Sequence, residues 1–101
     1  MSQKYEGDLK ERSEEDLKEP EMYTVVLHND HYTTMEFVVE VLVKVFNKQV
    51  IDATKVMMDV HKKGRGSVGI YTYDVASTKQ TQTIQMARER EFPLKCTVEK
   101  T

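Results

Sequence analysis

The sequence predicts a small α+β sandwich, in which three helices pack on one face of a three-stranded antiparallel sheet in the order β-α-α-β-α-β. Three observations support this prediction. Short segments rich in β-branched and aromatic residues occur early in the chain, past its middle and at its end. Longer segments with helix-start and helix-stop signals lie between them. At 101 residues, the chain has room for one domain with a modest core.

The first strand and the first helix flank a polar turn. Residues 22–27, Met-Tyr-Thr-Val-Val-Leu, are typical of a strand. The run from Phe37 to Phe46 is ambiguous, because its valines alternate as in a strand but also form a helical stripe. Thr33 and Glu36 fit a capping box with Thr33 as the N-cap, so we predict a helix.

The second helix is predicted from about Val50 to Lys62, and Gly64 is suited to its end. Its predicted apolar face is formed by Val50, Thr54, Met57 and His61, with Ala53 and Val60 beside them. The second strand is predicted over 66–73. In that strand, alternation would place Val68 and Ile70 on one face and two tyrosines on the other.

The third helix has weaker signals. Asp74 is predicted to cap it, its apolar stripe is thin, and Pro93 is predicted to stop it after about Glu91. Leu94, Cys96 and Val98 then alternate with polar residues, which indicates a half-buried last strand.

Charge divides the chain into two regions. Residues 1–20 hold seven acids and four bases, and we expect a flexible acidic extension there. Residues 21–101 hold ten acids and eleven bases and form the predicted core domain. Its near-neutral charge favours neither nucleic acid nor a membrane surface as partner. Because there is no long apolar run and only one cysteine, we expect a soluble cytoplasmic protein.

The polar cluster Asn29-Asp30-His31 lies between the first strand and the first helix. These residues are typical of a strand-to-helix turn, where Asn and Asp bond to nearby backbone groups. An amide oxygen and a carboxylate are also suitable acceptors for an ammonium group, such as a free α-amino group. His61 allows the same two interpretations, since it can be a semi-buried helix residue or a neutral acceptor.

Two chemical alternatives have weaker support. A metal site would need His28, Asp30, His31 and His61 to converge, and their spacing matches no common zinc motif. A hydrolase would use Cys96, His61 and Asn29, but no local motif activates the cysteine. We therefore predict no metal or other cofactor and no cysteine hydrolase.

From about Glu21 to Lys100 the chain resembles the ClpS adaptor family of the bacterial ClpAP protease. The resemblance lies in four separated motifs in matching order: Tyr23 to Asp30, Tyr32 to Val38, Ala53-Thr54 through Val60-His61, and Pro93 to Lys100. It implies a ClpS-like fold, similar to the C-terminal domain of a ribosomal stalk protein. It also implies an adaptor that binds proteins beginning with Leu, Phe, Tyr or Trp and delivers them to the N-terminal domain of the unfoldase ClpA. We expect a monomer.

The resemblance assigns roles to individual residues. By similarity, Asn29, Asp30 and His61 would receive the α-amino group, with His31 nearby. The side-chain pocket would be walled by Thr33, Met35, Val38, Met57, Val60 and Leu94, with Met35 excluding β-branched residues. Asp74 and Lys79 would lie on the surface that docks on ClpA, and the N-terminal extension would engage the unfoldase.

Two positions depart from the family pattern. The family usually has a second acid where this chain has His31, and often proline where it has Thr34. Loss of a carboxylate beside the amino-group site keeps a second hypothesis open: a modulator that docks on a Clp ATPase without binding N-terminal residues.

Overall fold

A computed structural model describes residues 20–101 of the protein. The elements are β1 (Met22–His28), α1 (Met35–Lys44), α2 (Val50–Lys63), β2 (Arg65–Thr72), α3 (Tyr73–Glu89) and β3 (Lys95–Lys100). Their order confirms the predicted fold class. The predicted acidic extension lies outside the described residues, apart from Pro20. None of the helices in the described part of the chain is both long and apolar enough to cross a membrane.

The sheet has the strand order β2-β1-β3, with β1 antiparallel to both neighbours. Val25 and Leu27 of β1 are completely buried and pack with Phe37, Val41 and Leu42 of α1. The second helix contacts β2 and α1, while α3 contacts all three strands. The core therefore lies between one face of the sheet and the three helices.

A bulge in β2 changes which of its residues face the core. Two successive residues of β1 lie opposite Gly69 and Ser67, which leaves Val68 as an extra residue in β2. One extra residue reverses the alternation of side chains beyond it. The prediction that Val68 and Ile70 share a face is therefore wrong: Val68 is buried, Ile70 is 55% exposed, and Tyr71 packs against the core instead.

The buried face of α2 also differs from the prediction. Ala53 and Val60 are buried, and Met57 is partly buried. Val50 is 63% exposed, and Thr54 and His61 are exposed as well. The stripe predicted to be apolar thus faces outward except at Met57, while Ala53 and Val60, predicted to lie beside it, make the buried contact.

The third helix starts and ends without the predicted signals. Its N-cap is Thr72, which makes no side-chain capping bond, and Asp74 lies exposed in the first turn. It ends at Glu89, because the chain then turns into a Schellman motif rather than because of the later proline.

Backbone hydrogen bonds define this motif. The Phe92 amide donates to the Ala87 carbonyl at 2.8 Å, and the Glu91 amide donates to the Arg88 carbonyl at 3.0 Å. Glu91 occupies the position that usually holds glycine, and its φ of 62° lies in the left-handed region.

The face of the sheet opposite the helices carries a polar network. The His28 ring lies 2.8 Å from the Thr97 hydroxyl, which donates to Glu99 at 3.1 Å, and Arg65 donates to the same carboxylate at 2.6 Å. Burial, followed by repulsion from neighbouring cations, lowers the pKa of His28. Val26 lies opposite Thr97 in the register, alternates to this face and is nonetheless buried.

Replacing Glu91 with glycine should stabilise the domain. The left-handed conformation costs an ordinary residue about 1–2 kcal/mol, and glycine avoids that cost while adding some entropy to the unfolded chain. We expect urea unfolding of Glu91→Gly to show a gain of about 0.5–1 kcal/mol. The matched control is Gln85→Gly at an exposed position inside α3, which should lose about 1 kcal/mol. A loss of stability in Glu91→Gly would contradict this account of the helix end.

Candidate functional site

The end of β1 is joined to the end of α2 by backbone contacts. The Asn29 amide donates to the Gly64 carbonyl at 2.9 Å, and the Gly64 amide donates to the Val60 carbonyl at 3.0 Å. Gly64 caps α2 in the left-handed region with φ 88°, as predicted for the helix end, and glycine adopts this conformation without strain. The junction places Asn29 beside the last turn of α2, which carries His61.

Close packing of α2 on β2 sets the position of that last turn. A Cβ atom on Gly66 would lie 2.9 Å from Val60 Cγ2 and 3.2 Å from the Val56 carbonyl oxygen. The helix therefore approaches the strand to a distance that only glycine permits. Sequence reasoning missed this role of Gly66; the signal was a second glycine two residues after the helix cap.

The polar turn is organised by one carboxylate. Asp30 Oδ1 accepts hydrogen bonds from the Tyr32 amide at 2.8 Å and the Thr33 amide at 2.7 Å. Its other oxygen accepts from the Thr33 hydroxyl at 2.7 Å. The interpretation of Asp30 as a turn-former is therefore correct in geometry, because all three bonds are local.

These bonds move the start of α1 by one residue. The N-cap is Thr34, whose Oγ1 accepts from the Phe37 amide at 3.1 Å, and the predicted N-cap, Thr33, instead donates to Asp30. The predicted capping box is wrong, since Glu36 falls at the second helical position rather than the third. The helix consequently begins with Met35, whose side chain lies at the mouth of a cavity.

A cavity of about 270 Å³ opens between α1 and α2. It is lined by Asn29, Asp30, His31, Thr33, Met35, Val38, Met57, Val60 and His61. The structure thus brings together nine of the ten residues predicted to surround an amino group and an apolar side chain. Its polar lining residues come from the turn and from His61 in the last turn of α2, and its methionines and valines come from the regular helices α1 and α2. An apolar cavity of about 150 Å³ can hold benzene, so this one has room for a large side chain.

The tenth predicted residue, Leu94, does not line this cavity. It lies just before β3, and its side chain is buried in the core cluster between the sheet and the helices. Because the core takes up this side chain and leaves it 1% exposed, Leu94 is not among the residues that line the space between α1 and α2.

The charge of Asp30 persists despite its partial burial. Burial raises the pKa of its carboxyl, but the hydrogen bonds from the Thr33 amide and hydroxyl and from the Tyr32 amide outweigh burial, and His31 adds to their effect. The net pKa is below its ordinary value. The polar end of the cavity therefore holds a permanent negative charge at neutral pH, next to the Asn29 amide and the His61 imidazole.

The structure contradicts the cysteine-hydrolase alternative. Cys96 is buried, and burial raises the pKa of its thiol to about 12, which the Thr83 hydroxyl only partly offsets. A protonated, buried thiol is not a nucleophile. For the metal alternative, residues 20–101 contain no group of three His, Cys, Asp or Glu side chains placed to hold an ion. His28 lies in the polar network on the other face of the sheet.

The two residues predicted to dock on a partner have different environments. Asp74 is exposed near the start of α3. Lys79 is half-buried: its ammonium donates to the Val45 carbonyl at 2.8 Å and lies 5.6 and 5.7 Å from the ring centres of Phe46 and Tyr71. Lys79 therefore ties α3 to the end of α1, whereas Asp74 is available to a partner.

Comparison with known proteins identifies close relatives. The profile of a family described as "ATP-dependent Clp protease adaptor protein ClpS" matches residues 18–97. The ATP-dependent Clp protease adapter protein ClpS of Syntrophus aciditrophicus is 50% identical over 95 residues, which cover 94% of this chain and 89% of that protein. The protein of the same name from Acetivibrio thermocellus is 54% identical over 91 residues, which cover 90% of this chain and 92% of that protein.

A solved structure gives the same result for the fold. Agrobacterium tumefaciens ClpS2 bound to L-phenylalaninamide superposes with a TM-score of 0.80 at 37% sequence identity. The match covers 82% of this chain and all of that one.

Adding a methyl group at Gly66 should disturb the site through α2. In Gly66→Ala the new Cβ meets backbone atoms of the helix, which cannot turn aside as a side chain can, so we expect a loss of about 1–3 kcal/mol in urea unfolding. Ser67→Ala, at the exposed neighbouring position, is the control and should change stability by less than about 0.5 kcal/mol. Equal stability of the two variants would show that the close approach of α2 to β2 is not a constraint.

Proposed function

The chain belongs to the ClpS family of adaptor proteins of the ATP-dependent Clp protease, and we propose that it recruits substrates by binding a free N-terminus whose first residue is Leu, Phe, Tyr or Trp. An adaptor of this kind is not itself an enzyme. One observation carries the proposal: a single cavity has acceptors and a negative charge at one end and apolar side chains at the other. L-Phenylalaninamide, the ligand of the Agrobacterium protein, combines an amino group and an apolar side chain in the same way.

The polar end of the cavity suits an α-amino group. With a reference pKa of about 8, this group is mostly charged at neutral pH and carries three donor hydrogens. In the proposal, the Asn29 side-chain oxygen and a neutral His61 nitrogen accept two of them. Asp30, whose oxygens already accept three local bonds, contributes mainly through its charge.

The apolar end of the cavity suits the first side chain. Val38 and Val60 form a rigid wall, and Met35 and Met57 supply flexible surface that can follow both aliphatic and aromatic shapes. Burying such a side chain contributes roughly 1.5–3 kcal/mol. Each charge-assisted hydrogen bond contributes about 1.5–3 kcal/mol, and micromolar binding needs about 8 kcal/mol. Recognition therefore requires both features together.

Delivery to an unfoldase completes the proposal. The partner is the N-terminal domain of ClpA, which docks on the surface containing Asp74 and Lys79, and the acidic extension, residues 1–20, engages the unfoldase. We propose a monomer acting in the bacterial cytoplasm. The cavity favours this function over a modulator that binds no N-terminal residue, since such a modulator has no use for a cavity lined by both acceptors and apolar side chains.

Removing either amino-group acceptor should weaken ligand binding. For a fluorescein-labelled peptide beginning with Phe, we expect Asn29→Ala and His61→Ala each to raise the Kd about tenfold or more in fluorescence anisotropy, because each loses a charge-assisted bond. Lys62→Ala, at an exposed neighbouring position, should leave the Kd unchanged. The N-acetylated peptide should not bind. Wild-type affinity in both acceptor variants would contradict the assignment.

Shortening Met35 should broaden the choice of first residue. Met35 lies at the mouth of the cavity and is 41% exposed, so Met35→Ala removes bulk beside the Cβ of a bound residue without opening the core. We expect peptides beginning with Ile or Val to bind this variant and not the wild type, while peptides beginning with Phe bind both. A peptide panel in which Ile and Val stay excluded would show that another residue sets this limit.

A further inference from the structure

A second cavity lies on the other side of Met35 and Met57. It has a volume of about 410 Å³ and is lined by Met35, Glu36, Val39 and Met57. We call it the α1–α2 groove. Because Met35 and Met57 line both cavities, the two methionines form a partition with the binding cavity on one side and the groove on the other.

We propose that the α1–α2 groove binds the side chain of the third residue of the same polypeptide whose first residue fills the binding cavity. The preferred third residue is apolar and is followed by a lysine or arginine. The inference rests on the proposed function and extends it from one residue to a short sequence.

The geometry of an extended chain selects the third residue. Side chains of a strand alternate, so the first and third residues point to the same side, roughly 7 Å apart, while the second points away. That spacing is comparable to the width of one methionine side chain. A chain that buries its first side chain in the binding cavity therefore presents its third across the partition of Met35 and Met57.

Exposed apolar surface continues from the partition. Met35 is 41% exposed although it begins a helix on an otherwise polar turn. Along α2, the exposed Thr54 and Val50 lie at helical spacing from Met57, on the stripe that the sequence predicted as the apolar face of the helix. A binding surface for a passing chain explains why this stripe is apolar and yet is left outside the core.

The charge beside the groove favours a particular fourth residue in the bound chain. Glu36 is exposed and lines the groove. The fourth side chain of an extended chain points away from the groove, so the carboxylate acts on it through its charge rather than by contact. An acidic group at that point favours a lysine or arginine and disfavours an acid.

Three peptides with the same first residue test the inference by fluorescence anisotropy. They begin Phe-Ser-Leu-Lys, Phe-Leu-Ser-Ser and Phe-Ser-Ser-Ser, with identical remaining sequence. We expect the wild type to bind the first about three- to tenfold more tightly than the other two, whose affinities should be similar. Equal affinity for all three overturns the inference and leaves the proposed function intact.

Variants locate the effect. Val39→Thr adds a hydroxyl to the groove, and Glu36→Gln removes the charge at an exposed position where folding is not at risk. In either variant the preference should fall by at least about half, with the affinity for Phe-Ser-Ser-Ser unchanged. Val75→Thr, on a 43% exposed valine of α3, is the matched control and should keep the full preference.

A preference that persists in both groove variants overturns the inference. Failure of all three peptides to bind better than their N-acetylated forms overturns the proposed function as well.

Discussion

The functional site depends on the backbone junction between the end of β1 and the end of α2. The Asn29 amide reaches the Gly64 carbonyl only because Gly64 takes the left-handed conformation, and α2 lies close enough only because Gly66 has no side chain. Asn29 and His61 are 32 positions apart in the sequence numbering, yet this junction brings them to one cavity. The two glycines therefore determine where the residues that line the cavity stand, although neither glycine lines the cavity itself.

The two ends of the cavity are built by different means. The apolar end belongs to two regular helices and is held by core packing. The polar end belongs to a turn, whose shape comes from the three bonds that Asp30 accepts. Those bonds also keep the carboxylate ionised despite its partial burial. Asp30 thus shapes the turn and supplies its charge, while Asn29 and His61 are the groups proposed to accept bonds from a ligand.

Local signals were sufficient to predict the element order, whereas the ten cavity residues were predicted from the resemblance to the ClpS family, and nine of them line the cavity. Alternation identified the strands, and capping and glycine signals located the helices to within a few residues. The errors arose where tertiary packing decides. The burial of α2 follows from its contact with β2 at Gly66, the exposure of Ile70 follows from one extra residue in a strand, and the N-cap of α1 follows from the competing use of Thr33 by Asp30. No periodicity in the sequence records such contacts. Leu94 was assigned to the cavity by the family resemblance, and the structure places its side chain in the core.

The central position of β1 has a consequence for how the chain reaches its native state. The strand β1 is synthesised before β2 and β3 but lies in the middle of the sheet, and one of its two neighbours is β3, at the end of the domain. The hydroxyls of Thr24 and Thr101 lie 3.2 Å apart, although these residues are separated by 77 positions in the sequence. Until residues 95–100 leave the ribosome, one edge of β1 stays unpaired, and the loop that must close is nearly as long as the domain. Such distant pairing slows folding and leaves a strand edge open to other chains in the meantime. Until β3 pairs with β1, this protease adaptor is therefore itself exposed to aggregation and proteolysis.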